Sequence, residues 1–587
     1  MLRKTLIAAT LPGLALASFD CRPPGPIVPR PTDIASHPAF ALASSELNKV
    51  LQLATSREIE AGWPVDDTSF SVGIISWDQP DKAVPVWEYH YLAPNTVNGT
   101  KEVTRDSQYL IGSVSKVISD YILLRSGLSL DDPITKYIPV LKNNSSVIDW
   151  GTITLRHLAS GLAGIPQYYG VFELYSLKEY YESLGFPQLE DEDYEPCGVI
   201  GLNEPCSEQQ LFEALLDIYP VAKPASRPFY STISFHIFIR AIQEATGKNY
   251  TQLVKELVTE RLAMSGTLES PGSDARAVIP PVENFWGKSY SYYSAGAGLV
   301  STLSDLSVFF HGILDRSILD TEADVLAWLK PSSSTGSPYA LVGMPWEIYR
   351  TQTLTPRHPH TIDLYAKGGA AQGYRSQVAV IDEYGVAIVL LTAGPPTAAN
   401  FIYNAVLETL VPAIDEAARD QGLAYTGTFV DNPSKSDAAI TVTISQDVNS
   451  TILAGLEYNG TDMMASYREI FYRNIGETLD MLPTVARIYP LDIITNSTTK
   501  QDNGYEKKVL REEWRIDWDL VTNTATELPG AGVSMNDCLY WVAGDWTYYG
   551  NESLDRLVFV RDALTREVLG VDIPILRSGF LGKTKLL

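Results

Sequence analysis

Histidine and cysteine are scarce in this chain of 587 residues, with seven and four copies. No histidine stands at ligand spacing from a cysteine pair, so a Cys/His metal site is disfavoured and neither metal nor cofactor is expected. Basic clusters are missing too. The formal net charge is −25 with no Lys/Arg-rich stretch to offset it, a field that repels phosphates and argues against nucleic acid as a partner. Past the first 17 residues no apolar run is long enough to cross a bilayer, and the closing stretch Gly582–Leu587 lacks the hydrophobic tail of a lipid-anchor signal, so no membrane anchor is expected. No Gly-x-Ser-x-Gly elbow occurs, which disfavours an α/β-hydrolase triad built on His157, His358 or His360. Repeats of fixed period and low-complexity tracts are also missing.

What is present begins with a leader. Arg3 and Lys4 precede an apolar run from Leu6 to Leu16 and the small-x-small signal Ala15-Leu16-Ala17, so residues 1–17 read as a secretory signal peptide and the chain as secreted. Acceptor triplets at Asn98, Asn143, Asn144, Asn249, Asn449, Asn459, Asn496 and Asn551 suggest a eukaryotic glycoprotein. Cys21, Cys197, Cys206 and Cys538 suit an oxidising compartment and permit three pairings, of which Cys197–Cys206 with Cys21–Cys538 is favoured on proximity.

The length exceeds what one core usually serves and the composition changes near residue 420, so two domains are expected. Residues 18–45 read as an extended segment, 46–420 as a first domain and 425–587 as a second. In the first, an amphipathic helix Leu47–Glu60 precedes strands Ser69–Ile75 and Val86–Tyr91, and helical patterns dominate from Thr154 to about Ala245 around an acidic loop Glu190–Cys206. Strands return at Val342–Tyr349, Gln377–Asp382 and Ala387–Thr392, and a helix Asn400–Ala418 closes the set. That order predicts an α+β sheet with a helical region inserted between its halves. Beyond residue 425, alternating stretches such as Ile440–Ile444, Thr451–Tyr458, Val485–Tyr489, Trp514–Leu520, Leu539–Val542 and Leu557–Val560 predict an all-β barrel or sandwich.

Chemistry concentrates in Ile111-Gly112-Ser113-Val114-Ser115-Lys116. Three residues is just under one helical turn, so the Ser113 hydroxyl and the Lys116 amine share a face. A desolvated lysine takes the serine proton without a histidine, and unpaired amides at a first helical turn favour the oxyanion that follows attack. Ser497-Thr498-Thr499-Lys500 has the same spacing but overlaps the acceptor triplet at Asn496 in a polar stretch, and reads as a glycosylated turn. Asp131 and Asp132 resemble a glycosidase pair but precede Pro133 in a helix-starting turn, where capping accounts for them. Tyr168, Tyr169, Tyr175, Tyr180 and Tyr181 either line an acyl pocket or pack helices of the insertion.

Gly112-Ser113-Val114-Ser115-Lys116, then Gly127-Leu128-Ser129-Leu130-Asp131-Asp132-Pro133-Ile134 and Tyr137-Ile138-Pro139, resembles the serine β-lactamase-related family, in particular its class C and esterase branch. Thr154-Leu155-Arg156-His157-Leu158 and Gly296-Ala297-Gly298-Leu299-Val300-Ser301 continue the likeness in order, over roughly residues 46–415. The resemblance implies a β-lactamase/transpeptidase-like domain, an antiparallel sheet flanked by helices plus a helical subdomain, with the site between them. It implies Ser113 as nucleophile, Lys116 as its activating lysine and Tyr230 of Phe229-Tyr230-Ser231-Thr232 as the proton-sharing tyrosine. Lys367-Gly368-Gly369-Ala370 matches the family's Lys-Thr-Gly edge strand. Lys367 there adds positive charge, Gly368 and Gly369 border the substrate, and the Ala370 amide joins that of Ser113 as an oxyanion hole. Two departures stand out: Thr232 where the family usually has Asn or Ser, and Gly368 where a threonine commonly helps bind a substrate carboxylate. The second weakens a β-lactam or peptidoglycan assignment. The expected partner is a small-molecule ester, amide or lactam, cleaved through a Ser113 acyl-enzyme. The alternatives are acyl transfer from the same intermediate, or a catalytically silent binding protein that keeps the fold.

Overall fold

The structure is a computed structural model and describes residues 25–142, 146–431, 439–500, 506–522 and 544–584. The expected signal peptide, Cys21, Cys538, Asn143, Asn144 and the expected strand Leu539–Val542 lie outside them. Contacts divide the chain into Pro31–Ala417 and a second unit made of Ala418 onward with the segment ending at Arg30.

The first unit is built on one antiparallel sheet of eight strands: β1 (Ser69–Ser76), β2 (Trp87–Tyr91), β3 (Ser333–Ser334), β4 (Ala340–Val342), β5 (Glu347–Thr351), β6 (Ile362–Ala371), β7 (Tyr374–Ile381) and β8 (Val386–Ala393), in the order β2-β1-β8-β7-β6-β5-β4-β3. Central β1 and β8 pair from Ser69↔Ala393 to Ser76↔Val386 and every residue of both is buried. That is why Val386-Ala-Ile-Val-Leu-Leu is unbroken apolar sequence and not alternating. The helices α1 (Pro38–Thr55), α2 (Ser115–Arg125), α3 (Ile233–Thr246), α4 (Leu303–Leu314) and α5 (Thr397–Gly422) follow in chain order, with α4 packed on β1 and β8. Residues 92–332 lie between the sheet's two halves and hold α2, α3 and α4, the insertion that the element order predicts.

Local chemistry moves several boundaries. Helix α1 begins at Pro38, inside the stretch expected to be extended, because the His37 side chain accepts from the Ala39 amide and proline suits the first helical position. The expected strand Val342–Tyr349 is two strands, β4 and β5, parted by a turn in which the Gly343 amide donates to the Trp346 carbonyl at 2.7 Å. Asp131 and Asp132 make no helix cap: Asp131 takes the Arg156 guanidinium at 2.8 Å, and Asp132 accepts from Lys136 at 2.8 Å and the Tyr137 hydroxyl at 2.6 Å. Cys197 and Cys206 form a disulfide across the acidic loop. The tyrosines of the insertion pack on other rings, Tyr168 on Phe172 and Tyr293, Tyr175 on Tyr194, Tyr180 on Tyr181.

The second unit is a closed antiparallel barrel. Its strands are β9 (Gly427–Val430), β10 (Ile440–Gln446), β11 (Thr451–Tyr458), β12 (Met481–Lys500), β13 (Glu506–Thr522), β14 (Arg556–Asp562), β15 (Val568–Asp572) and β16 (Leu581–Lys583). The ring runs β10-β9-β16-β15-β14-β13-β12-β11 and closes because β11 also pairs β10, from Ile440↔Tyr458 to Gln446↔Thr451. Among the described residues, each of the eight strands in the ring has a partner on both sides. Tyr425, Phe429, Trp514 and Phe559 fill the interior, with three ring pairs at 4.9 Å. Trp518 joins that core, whereas Trp546, Tyr548 and Tyr549 are exposed. A helix Met463–Phe471 that the strand pattern did not foretell starts where the Asp462 carboxylate accepts from the Met464 and Ala465 amides. The expected glycosylated turn at Asn496 is strand: Asn496 pairs Leu510 and Ser497 pairs Val509.

Candidate active site

Gly112, Ser113 and Val114 form a single 3-10 turn that runs into α2. The turn is tied at its leading residue, Ile111, through both of its backbone groups. The Ile111 amide donates to the Leu299 carbonyl at 3.0 Å, and the Ile111 carbonyl accepts from the Ser376 hydroxyl of β7 at 2.7 Å. Gly112 has φ +50°, and a Cβ there would sit 2.5 Å from the Ala370 backbone nitrogen, so only glycine lets β6 approach this closely. Helix α2 is buried from Ser115 to Leu123, polar residues included, so Lys116 enters the protein on a helix with no watery face.

Lys116 is 1% exposed. Its Nζ lies 3.1 Å from Ser113 Oγ, 3.3 Å from Thr232 Oγ1 and 2.7 Å from the Gly296 carbonyl oxygen. Burial, reinforced by the Lys367 ammonium, holds this amine well below the ordinary lysine value. Asp120, one turn further along α2, is also fully buried, and neither carboxylate oxygen has a hydrogen-bond partner. Burial pushes its carboxyl well above the usual range, with Lys116 pulling the other way. Both groups are thus biased toward their neutral forms.

Tyr230 arrives from the segment before α3. The Phe229 amide donates to Gly161 at 2.8 Å, the Ser231 hydroxyl to Pro166 at 2.8 Å, and the Thr232 amide to Gln167 at 3.0 Å, which sets the tyrosine over the nucleophile turn. The Lys116 and Lys367 side-chain nitrogens lie 4.8 and 4.9 Å from its ring centroid, and its phenol interacts with Ser113 and Lys367. Desolvation raises the phenol above its ordinary value, while Lys367 and then Ser113 draw it back.

Strand β6 contributes the rest. Its first half, Ile362–Ala366, pairs β5, while Lys367–Ala371 has β7 on one side only and runs beside the Ser113 turn. A Cβ on Gly369 would fall 2.2 Å from the Ile111 carbonyl oxygen and 2.2 Å from Ser376 Oγ. The structure therefore brings Ser113, Lys116, Tyr230, Lys367, Gly369 and Ala370 to one place. Two expected roles change. Thr232 is 1% exposed and its hydroxyl meets Lys116, so it touches the lysine and is closed to a substrate. The Gly368 amide donates to Glu347 Oε2 at 3.1 Å and is already taken.

Sequence reasoning missed Glu347. Its Oε1 lies 2.5 Å from Lys367 Nζ, which also donates to the Gly368 carbonyl at 2.9 Å. Burial works against the Lys367 charge, but Tyr230 and Glu347 outweigh it and hold the ammonium above the ordinary lysine value. Gly296 is a partner of Lys116 through its carbonyl, a contact that no side-chain signal could reveal. The histidines lie elsewhere: His157 closes a helix cap on Thr154, His358 pairs Asp415 and His360 pairs Glu383. Among the described residues no three His, Cys, Asp or Glu side chains gather as a metal cage, and no helix is long and apolar enough to cross a membrane. A cleft of about 660 Å³ opens on Lys116, Tyr230 and Glu347, with Phe229, Phe235 and Trp346 among its walls.

Known proteins match the chain in two parts. The family model described as "Beta-lactamase" matches residues 85–412, and one described as "Beta-lactamase-like-like, C-terminal domain" matches residues 417–583. A "Beta-lactamase-like protein" of Arthroderma benhamiae is 42% identical over 593 residues, covering 99% of this chain and 97% of that protein. "Probable hydrolase M10" of a Phoma species is 26% identical over 529 residues, covering 86% and 84%. Among solved structures, a beta-lactamase/D-alanine carboxypeptidase from Yersinia pestis complexed with citrate aligns at a TM-score of 0.47 and 18% identity, over 64% of this chain and 99% of that one.

Proposed function

We propose that this chain, which belongs to the beta-lactamase family, is a secreted serine hydrolase cleaving an ester or amide through an acyl-enzyme on Ser113. One observation carries the reading: a fully buried lysine, held toward its neutral form, with its amine 3.1 Å from a serine oxygen at the head of a helix. In this scheme Ser113 Oγ attacks the carbonyl carbon and its proton passes to Lys116. Tyr230, in contact with both Ser113 and Lys367, delivers a proton to the leaving oxygen or nitrogen as that bond breaks and is reprotonated by Lys116, which returns the lysine to its neutral form. Water then attacks the ester formed with Ser113, its proton moves by the same route, and the acid is released. The amides of Ser113 and Ala370 hold the oxyanion in both steps, where loss of one donor typically costs about 3 to 4 kcal/mol.

The experiment is direct. An activated phosphonate should add covalently to the peptide carrying Ser113, read by intact mass and peptide mapping, and short fluorogenic esters should be turned over. Folded protein that takes no adduct at Ser113, with no turnover across an ester, amide and β-lactam panel, would reject the proposal.

Gly369→Ala tests the oxyanion part separately. The new methyl must push β6 away from the Ile111 carbonyl, moving the Ala370 amide relative to Ser113. A displacement on the order of 1 Å costs about 10²-fold in rate. The expected result is a kcat loss of about that size with circular dichroism unchanged; an unaffected kcat would remove Ala370 from the mechanism.

A further inference from the structure

Glu347 enters the site through sheet register alone. It stands opposite Ala366 in the β5–β6 ladder, which puts its carboxylate against the Lys367 ammonium at 2.5 Å and the Gly368 amide at 3.1 Å. A cation and a free backbone amide side by side on a strand half paired on one side only are what a substrate carboxylate needs. Here the protein's own carboxylate satisfies both. Lys367 is 1% exposed, and its ammonium is engaged by Glu347 and the Gly368 carbonyl. The Glu347 side chain is one-third exposed and lines the cleft, so an arriving anion meets negative charge first. Two other basic residues line the cleft: Lys116, which burial holds toward its neutral form, and Arg227, an exposed residue.

We propose that Glu347 is a specificity-determining residue that fills the anion position beside Lys367 and Gly368 and so restricts the site to acyl donors without a carboxylate. The inference rests on the acyl-enzyme reading above and names the substrate class of that same site: uncharged esters or amides. The physical cause is electrostatic. Two carboxylates sharing one ammonium in a partly desolvated cleft repel each other, and the second has no amide left to pair with. Replacing Glu347 by glutamine keeps the size of the side chain and leaves Lys367 with an unopposed charge.

The test compares matched substrates. One pair differs in the acyl part, 4-nitrophenyl hexanoate against the 4-nitrophenyl monoester of adipic acid; the other differs in the leaving group, phenyl butyrate against 3-carboxyphenyl butyrate. Wild-type protein should favour the uncharged member of each pair by at least tenfold in kcat/KM. In Glu347→Gln that ratio should fall at least tenfold for one pair or both, through a lower KM for the carboxylate-bearing member. Glu347→Ala should behave the same way, which separates charge from any local packing fault of either variant. Binding of phenylboronic acid and 3-carboxyphenylboronic acid, read by calorimetry, gives the same comparison without turnover. Equal ratios in wild type and both variants overturn the inference, as does wild-type preference for the carboxylate-bearing member, which would assign the anion to Arg227. If Ser113 takes the phosphonate yet discrimination is missing, only this inference falls. If Ser113 is inert and neither boronic acid binds, the acyl-enzyme reading fails and takes this one with it.

Discussion

Ser113→Ala is expected to lower kcat for any ester the wild-type protein cleaves by about 10⁴- to 10⁶-fold and to abolish the phosphonate adduct. The size follows from the lack of a substitute. Lys116 Nζ reaches the Ser113, Thr232 and Gly296 oxygens, and among these only Ser113 is on the partly exposed turn beside the Ala370 backbone. Removing one hydroxyl leaves the lysine, the tyrosine and the strand in place, so folding should be untouched. Residual activity near the wild-type rate would assign the nucleophile elsewhere.

The second large effect concerns protons. Lys116→Met should lower kcat on the order of 10²- to 10⁴-fold, the usual share of a positioned general base. In the wild-type protein the acid limb of kcat/KM should report the Lys116 amine. Because burial and then the Lys367 charge lower its native value, the neutral, active form persists to a pH well below 10.5, and activity is lost as the pH falls through that lowered value. The sign for stability is the same. The native state binds this proton less readily than the unfolded chain, so stability rises with pH across the window between the two values. A kcat/KM profile still climbing in the range of an ordinary lysine would show that Lys116 is not the base.

Much of this site was legible in the sequence because its members announce themselves locally. Ser113 and Lys116 lie one turn apart within an apolar helix, and Lys367-Gly368-Gly369-Ala370 is a short distinctive string. Strands β1, β7 and β8 each carry an apolar run of their own, so the split sheet with a helical insertion could be read from element order. Boundaries were less legible where a single capping contact decides them, as His37 does for α1 and Asp462 does in the barrel. Barrel or sandwich could not be chosen at all, since alternation is the same in both and only the β10–β11 pairing closes the ring.

By itself the sequence determined the family likeness, the pairing of a hydroxyl with an amine one turn away, and the strand-helix-strand order, all set by neighbours within a few residues. Tertiary structure alone decided that Glu347 confronts Lys367, that Thr232 faces the lysine and not the cleft, and that the Gly296 carbonyl steadies Lys116. Those contacts join positions 20, 116 and 180 residues apart. Register and burial create them, and neither leaves a mark on the local pattern of residues.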